Sequence, residues 1–527
     1  MSTATTRSYA ELRQHLLAKD ELALIDVREE APFALEHPLF AANIPLSKLE
    51  IEIYARVPRR DTQVTVYDDG EGLAERAAER LRELGYSDVA LLEGGLAGWR
   101  DAGGELFRDV NVPSKAFGEL VEAKRHTPSL AAEEVQQLLD DKADVVVLDA
   151  RRFDEYQTMS IPGGISVPGA ELVLRVAELA PDPQTRVIVN CAGRTRSIIG
   201  TQSLVNAGIP NPVSALRNGT IGWTLAGQQL AHGQSQRFTE VSSETRDNAA
   251  RQARAVADRA GVARISRETL AAWQAEVHRT TYLFDVRTPE EYAKGHLPGS
   301  RSTPGGQLVQ ETDHNASVRG ARIVLVDDEG VRANMSASWL AQMGWQVAVL
   351  DGLDASDFSE TGDWQVALPE LPQPPSIQGE QLQQWLDAGD TVLLDFTTSA
   401  NYVQRHIPGA HWAIRAQLAQ ALEKLPVAER YVVTCGSSLL ARFAAVDLQA
   451  LTRKPVFLLE GGTGRWIAEG RALEHGETRL AVPRSDRYRR PYEGTDNPRE
   501  AMQGYLDWEY GLVEQLGRDG THGFYVI

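Results

Sequence analysis

Short apolar runs alternate with helix-patterned stretches along the 527-residue chain, and the alternation repeats four times. In LIDVREEAPF, VLDARRFDEY, LFDVRTPEEY and LLDFTTSANY an apolar run ends on an acid: Asp26, Asp149, Asp285 and Asp395. A second, β-branched run follows in each copy (QVTVY, RVIVN, RIVLV, RYVVT) and leads to Asp68, Cys191, Asp327 and Cys435. The interval from acid to that loop position is 42 residues in three copies and 40 in the fourth. Stretches such as AERAAERLRELG and ARFAAVDLQALT then carry helical periodicity. About 31 residues past the loop, Gly-rich segments end in Trp99, Trp223 and Trp466, whereas the third copy has DGLDASDF and no tryptophan. Unbroken apolar runs of strand length read as buried strands, and their alternation with helices predicts α/β units around a mostly parallel sheet. Ligands of such sheets sit at the carboxyl ends of the strands, where the two cysteines fall.

The predicted fold is therefore α/β, with four tandem domains at 1–106, 128–236, 262–368 and 375–476 and a C-terminal tail at 477–527. The segment FRDVNVPSKAFGELVEAKRHTPSL is a linker expected to pack across the first pair. The Ala/Arg-rich helix ETRDNAARQARAVADRAG, closed by Gly261, is expected to be a solvated connector, and PELPQPPS a Pro-rich linker. In the tail a helix is predicted with Asn497 as its cap, Pro498 first and Gly517 at its end. Its apolar face is Met502, Tyr505, Leu506, Leu512, Val513 and Leu516. Docking onto the repeats is the expected role; the alternative is a cap over an active-site mouth.

Composition narrows the function. The net charge of −19 argues against nucleic acid or anionic membrane as a partner. No run reaches the ~18 apolar residues of a membrane span, and a cytoplasmic location is expected. Two cysteines make no disulfide framework and show no zinc spacing, so neither metal nor cofactor is expected.

Both cysteines stand at strand-to-helix turns, which marks them as nucleophiles. Backbone N–H groups and the helix dipole there are expected to lower the thiol pKa and populate thiolate near neutral pH. The loop CAGRTRS supplies Gly193, Arg194, Arg196 and Ser197, two cations and a hydroxyl for an oxyanion in an otherwise acidic protein. The loop CGSSLLA supplies Gly436, Ser437 and Ser438 and no cation, so the two sites should differ in substrate. Aspartates at 68 and 327 cannot act as sulfur nucleophiles and repel oxyanions, which makes the first and third copies structural. Arg151 is a candidate substrate ligand, although an ion pair with Asp149 is the favoured role of the Asp-x-Arg unit. His296 and His406, in HLPG and HIPG, read as turn residues, and the tryptophans as core.

This pattern closely resembles the rhodanese (sulfurtransferase) family. The matching residues are Asp26/Arg28, Asp149/Arg151 and Asp285/Arg287, the HxPG segments, the loop cysteines and the EGGxxxW segments. The resemblance covers nearly the whole chain and implies ping-pong transfer of a sulfane sulfur through a cysteine persulfide. It implies a small anionic donor such as thiosulfate and an acceptor that is cyanide, a thiol or a sulfur-accepting protein. Departures exist: Gly193 sits one place earlier than in the usual Cys-x-x-Gly-x-Arg loop, with Arg196 at its last position. Cys435 opens like a mercaptopyruvate-type loop, but Ser438, Leu439 and Leu440 follow, and Thr397 replaces the Asp-x-Arg arginine. The related phosphatases need an arginine six positions after the cysteine, where this chain has Ser197 and Ala441. A non-catalytic scaffold and a persulfide carrier remain alternative functions.

Overall fold

The computed structural model describes residues 4–527. Four five-stranded sheets are present, one per repeat, and within each the strands stand in the order first, fifth, fourth, second, third. Every pairing between named strands is parallel, as the unbroken apolar runs require. The fourth strand of each repeat is central. Arg186–Asn190 pairs with Val145–Asp149 on one side and Val213–Leu216 on the other. Arg430–Thr434 lies likewise between Thr391–Asp395 and Val456–Leu459. The loop position follows this strand, so each cysteine is delivered to the carboxyl edge of its sheet.

The tryptophans close their repeats identically. Trp99, Trp223 and Trp466 are buried, and each indole N–H donates to a carbonyl six residues on: Glu105 at 3.0 Å, Gln229 at 2.8 Å and Ala472 at 2.9 Å. The third repeat instead sets Phe358 against the Arg287 guanidinium, 4.5 Å from its centroid.

The first and third repeats share one apolar core with the linker and the tail, while the fourth keeps its own. The linker helix Val112–Arg125 lies at the middle of the shared core, with Phe117 fully buried against Trp339 and Phe524. It packs along Thr195–Asn206, the helix that follows Cys191. The connector helix Ser243–Arg259 is not simply solvated, contrary to expectation. Ala249, Ala253, Val256 and Ala257 form a buried stripe against Arg332–Gln342 and Leu172–Leu179. Small apolar residues at helical spacing suffice for that contact, and the surrounding arginines mask it in the sequence.

The tail also departs from its predicted form. It holds two helices, Arg499–Tyr510 and Leu512–Asp519, interrupted at Gly511, and the second ends at Gly520 with φ +71°. Asn497 is not the cap; its amide donates to the Glu493 carbonyl, and Pro498 occupies that place. Met502, Tyr505, Leu506, Leu512 and Leu516 are buried as predicted, Val513 is half-buried, and Glu509 is fully buried beside them.

Candidate active site: two cysteine loops

Cys191 is 2% exposed and is a free thiol. Its S–H donates to the Ser197 hydroxyl at 3.4 Å, and that hydroxyl donates to the Arg194 carbonyl at 2.9 Å. Residues 191–195 and 197 are all buried, and Arg196 is half-buried. Two segments from outside the repeat close over the loop. A side chain at Gly193 would meet Tyr505 at 3.1 Å and Glu509 at 3.3 Å, so only glycine lets the tail helix approach this closely. Gly118 of the linker helix leaves equivalent room for Thr195, at 3.1 Å.

The two arginines of the loop have different partners. Arg194 forks onto the Glu119 carboxylate, 2.6 and 2.9 Å, and donates to the Tyr510 hydroxyl at 3.0 Å. Its charge is matched by the linker helix and capped by the tail. Arg196 forks onto Glu155, 2.7 and 3.0 Å, and borders a chamber of about 660 Å³. Residues of all four repeats and the tail line that chamber, among them Glu30, Arg151, Gln307, Asn401 and Arg490. The same fork recurs in the third repeat, where Arg332 binds Glu291 at 2.6 and 3.0 Å. Because that repeat lacks a cysteine, the Arg–Glu fork is part of the shared architecture. Arg196 supplies its field to Cys191 from within the fork.

The expected fall of the thiol pKa does not occur. Burial pushes the Cys191 thiol up, opposed by the Arg196 charge and the Ser197 hydrogen bond and reinforced by Glu509. Burial also pushes the Cys435 thiol up, opposed there by the backbone N–H groups of the loop. Desolvation of a nearly enclosed sulfur outweighs the amides that the sequence pattern predicts.

Cys435 is 4% exposed, yet its loop is open. Gly436 and Ser437 are exposed, nothing approaches within 4 Å of a side chain placed at Gly436, and Ser438 is buried with φ +76° at the start of the following helix. The sulfur is surrounded by the amides of Ser437, Ser438, Leu440 and Ala441, without a cation.

The two acid-substituted loops show what that amide cradle attracts. Asp68 accepts from the amides of Gly70, Leu73 and Ala74 at 3.1, 2.7 and 3.0 Å. Asp327 accepts from Gly330, Val331 and Ala333 at 2.8, 3.1 and 2.9 Å. A carboxylate thus occupies the anion cradle in both copies.

Arg151 is engaged by Asp149 and also lines the chamber. It forks onto Asp149, 3.0 and 2.7 Å, and donates to the Met159 carbonyl at 2.5 Å. Arg28 and Arg287 repeat this arrangement with Asp26 and Asp285. In the fourth repeat the arginine is Thr397, and the Trp412 indole donates to its carbonyl at 2.8 Å. Asp395 is left with one unpartnered oxygen, and burial pushes its carboxyl up to about 7. His296 and His406 stack on Tyr292 and Tyr402, as expected of turn residues.

Sequence reasoning missed Glu155, Glu119, Tyr505, Glu509 and Tyr510. Glu155 was discoverable, since Glu291 stands at the same offset from its aspartate. The others lie in the linker and tail, outside the repeat; their one signal is the tail's predicted apolar face, which includes Tyr505, and its alternative role as a cap over an active-site mouth.

The rhodanese-like domain family model matches residues 8–102, 131–226, 266–352 and 378–469, and the chain belongs to that family. Over 99% of its length it is similar to the crystal structure of a thiosulfate sulfurtransferase from Pseudomonas aeruginosa, with 76% identity, a TM-score of 0.98 and all of that chain covered. Among curated proteins it is 34% identical over 101 residues to an uncharacterized protein from Synechocystis, 19% of this chain and 55% of that one. It is 40% identical over 76 residues to a Bacillus subtilis protein, 14% of this chain and 59% of that one. The chain thus spans about half the length of the curated relatives it matches. Among the described residues no helix is long and apolar enough to cross a membrane.

Proposed function

We propose that the protein is a sulfurtransferase that carries a sulfane sulfur as a persulfide on Cys191. The observation that carries this reading is a loop cysteine at the carboxyl end of a central parallel strand, beside Arg196, in a chain similar throughout to a thiosulfate sulfurtransferase. Thiosulfate is the proposed donor. The Cys191 thiolate attacks the outer sulfur, the donor S–S bond breaks, and its electron pair leaves with sulfite. The acceptor (cyanide, a thiol or a sulfur-accepting protein) attacks the persulfide's outer sulfur and returns an electron pair to Cys191. Arg196, with Ser197 and the loop amides, stabilises the anions formed. Arg194 is proposed to hold the loop through Glu119. Cys435 is a second site, whose neutral cradle of Gly436, Ser437 and Ser438 suits a 3-mercaptopyruvate-type donor. The first and third repeats are structural. Free cysteines fit work in the cytoplasm.

Single Cys191→Ser and Cys435→Ser variants, assayed with thiosulfate and with 3-mercaptopyruvate, test this. Thiosulfate:cyanide transfer that survives Cys191→Ser intact overturns the assignment. Equal losses in both variants with both donors overturn the division between the sites.

A further inference from the structure

Glu509 is a carboxyl at the Cys191 loop that neither the repeat nor the ion-pair network accounts for. It is delivered by the tail helix, is 0% exposed, and presses on the loop at Gly193. Both carboxyl oxygens are buried with no hydrogen bond of normal geometry; the Tyr505 hydroxyl lies beside them and favours the ionised form. A buried carboxylate left so would be costly, so the site is built for a carboxyl that keeps its proton or for a partner that arrives. Around it stand Glu119 and Lys115 of the linker helix, Arg194 and Cys191 of the loop, and Tyr505. The helix Gly219–Leu225, also packed on the tail helix, has no ionisable residue. On Leu512–Asp519, Arg518 pairs with Glu514, and Asp519 binds Thr521.

We propose that Glu509 is an acid group of the sulfur-transfer site, contributed from outside the repeat, which hydrogen-bonds the anionic sulfur on Cys191 and excludes the donor when it ionises. This rests on Cys191 carrying the persulfide. In the first half-reaction the thiolate takes the outer sulfur and sulfite leaves with the bonding pair, so the persulfide anion bears the charge the thiolate had. In the second, the acceptor removes that sulfur and the thiolate re-forms. The Glu509 proton is shared with each sulfur anion in turn and is not consumed, so no further reactant is needed. Burial and the Glu119 charge push its carboxyl up to about 8, outweighing Lys115 and Arg194, so it is protonated at neutral pH. Above that pH an ionised Glu509 opposes both a dianionic donor and the sulfur anion. A carboxylic acid kept neutral by an apolar site so that it can donate is an established catalytic device.

The test is sulfur uptake by the full-length protein from thiosulfate, followed by mass as a function of pH, for wild type, Glu509→Gln and Glu509→Leu. Wild-type loading should rise with pH and level off above about pH 8, where Glu509 loses its proton before the raised Cys191 thiol has ionised. Glu509→Gln, which donates but cannot ionise, should keep rising past pH 8 as Cys191 ionises and keep neutral-pH loading within about threefold. Glu509→Leu should lose at least about tenfold in the rate of loading at neutral pH, with KM for thiosulfate moving less than kcat in the complete reaction. A levelling-off near pH 8 that persists in Glu509→Gln overturns the role of Glu509 alone, and so does wild-type loading by folded Glu509→Leu. Wild-type protein that acquires no sulfur at Cys191 at any pH overturns the sulfurtransferase reading and this inference with it.

Discussion

The Cys191 and Cys435 loops grow from the same strand of the same sheet, yet one is enclosed and the other open. Around Cys191 the linker helix brings Glu119, the tail brings Tyr505, Glu509 and Tyr510, and the loop's cations are each held by a carboxylate. Around Cys435 nothing occupies the space beside Gly436, and only backbone amides address the sulfur. The repeat therefore supplies a strand-end loop position and a cradle of backbone amides. The segments between and after the repeats decide what surrounds it. The acid-substituted copies mark the other limit, in which the cradle is filled by the chain's own carboxylate and the Arg–Glu fork survives without a cysteine.

The largest effect that could break this contrast is on activity. Cys191→Ser should lower thiosulfate:cyanide transfer at least about hundredfold, and Cys435→Ser should leave it within about twofold, measured as initial rates. Next in size, Glu119→Gln takes the forked carboxylate from the buried Arg194 and leaves it only the half-exposed Glu122 at 3.8 Å. Loss of one partner of a buried pair costs about 3–5 kcal/mol, read from denaturant unfolding, and no exposed substitution in the Cys435 loop should approach that.

A smaller effect concerns Asp395, whose folded-state carboxyl titrates near 7 for want of the usual arginine. Since the folded protein holds that proton where the unfolded chain has released it, stability falls as pH rises from about 3.9 to about 7 and is level above. Asp395→Asn should stabilise the fourth repeat by about 1–2 kcal/mol at pH 8 and flatten this dependence, as thermal unfolding at pH 5 and pH 8 would report. If Asp395→Asn is destabilising at both pH values, the carboxylate has a partner in solution. The smallest effect sharpens the contrast most directly. Gly193→Ala drives a methyl into Tyr505 and Glu509 and should cost about 1–2 kcal/mol, while Gly436→Ala should stay within about 0.5 kcal/mol. Equal costs in unfolding would mean that the tail does not close on the Cys191 loop.

The sequence by itself determined the four α/β repeats, the parallel sheets, the strand-end position of both cysteines, and the ion pairing of Arg151 with Asp149. These follow from local periodicity and from residues at fixed offsets, which each repeat states again. Only the tertiary structure decided that Arg194 is bound to Glu119, that the connector helix is half-buried, and that Glu509 stands unpartnered against Gly193. It also reversed the expected direction of the thiol pKa. A sequence pattern shows the amides that favour a thiolate but not the apolar enclosure that opposes it. Burial is a sum over segments tens to hundreds of residues apart, such as the 75 positions between Glu119 and Arg194 and the 316 between Arg194 and Tyr510, and no local pattern encodes that sum.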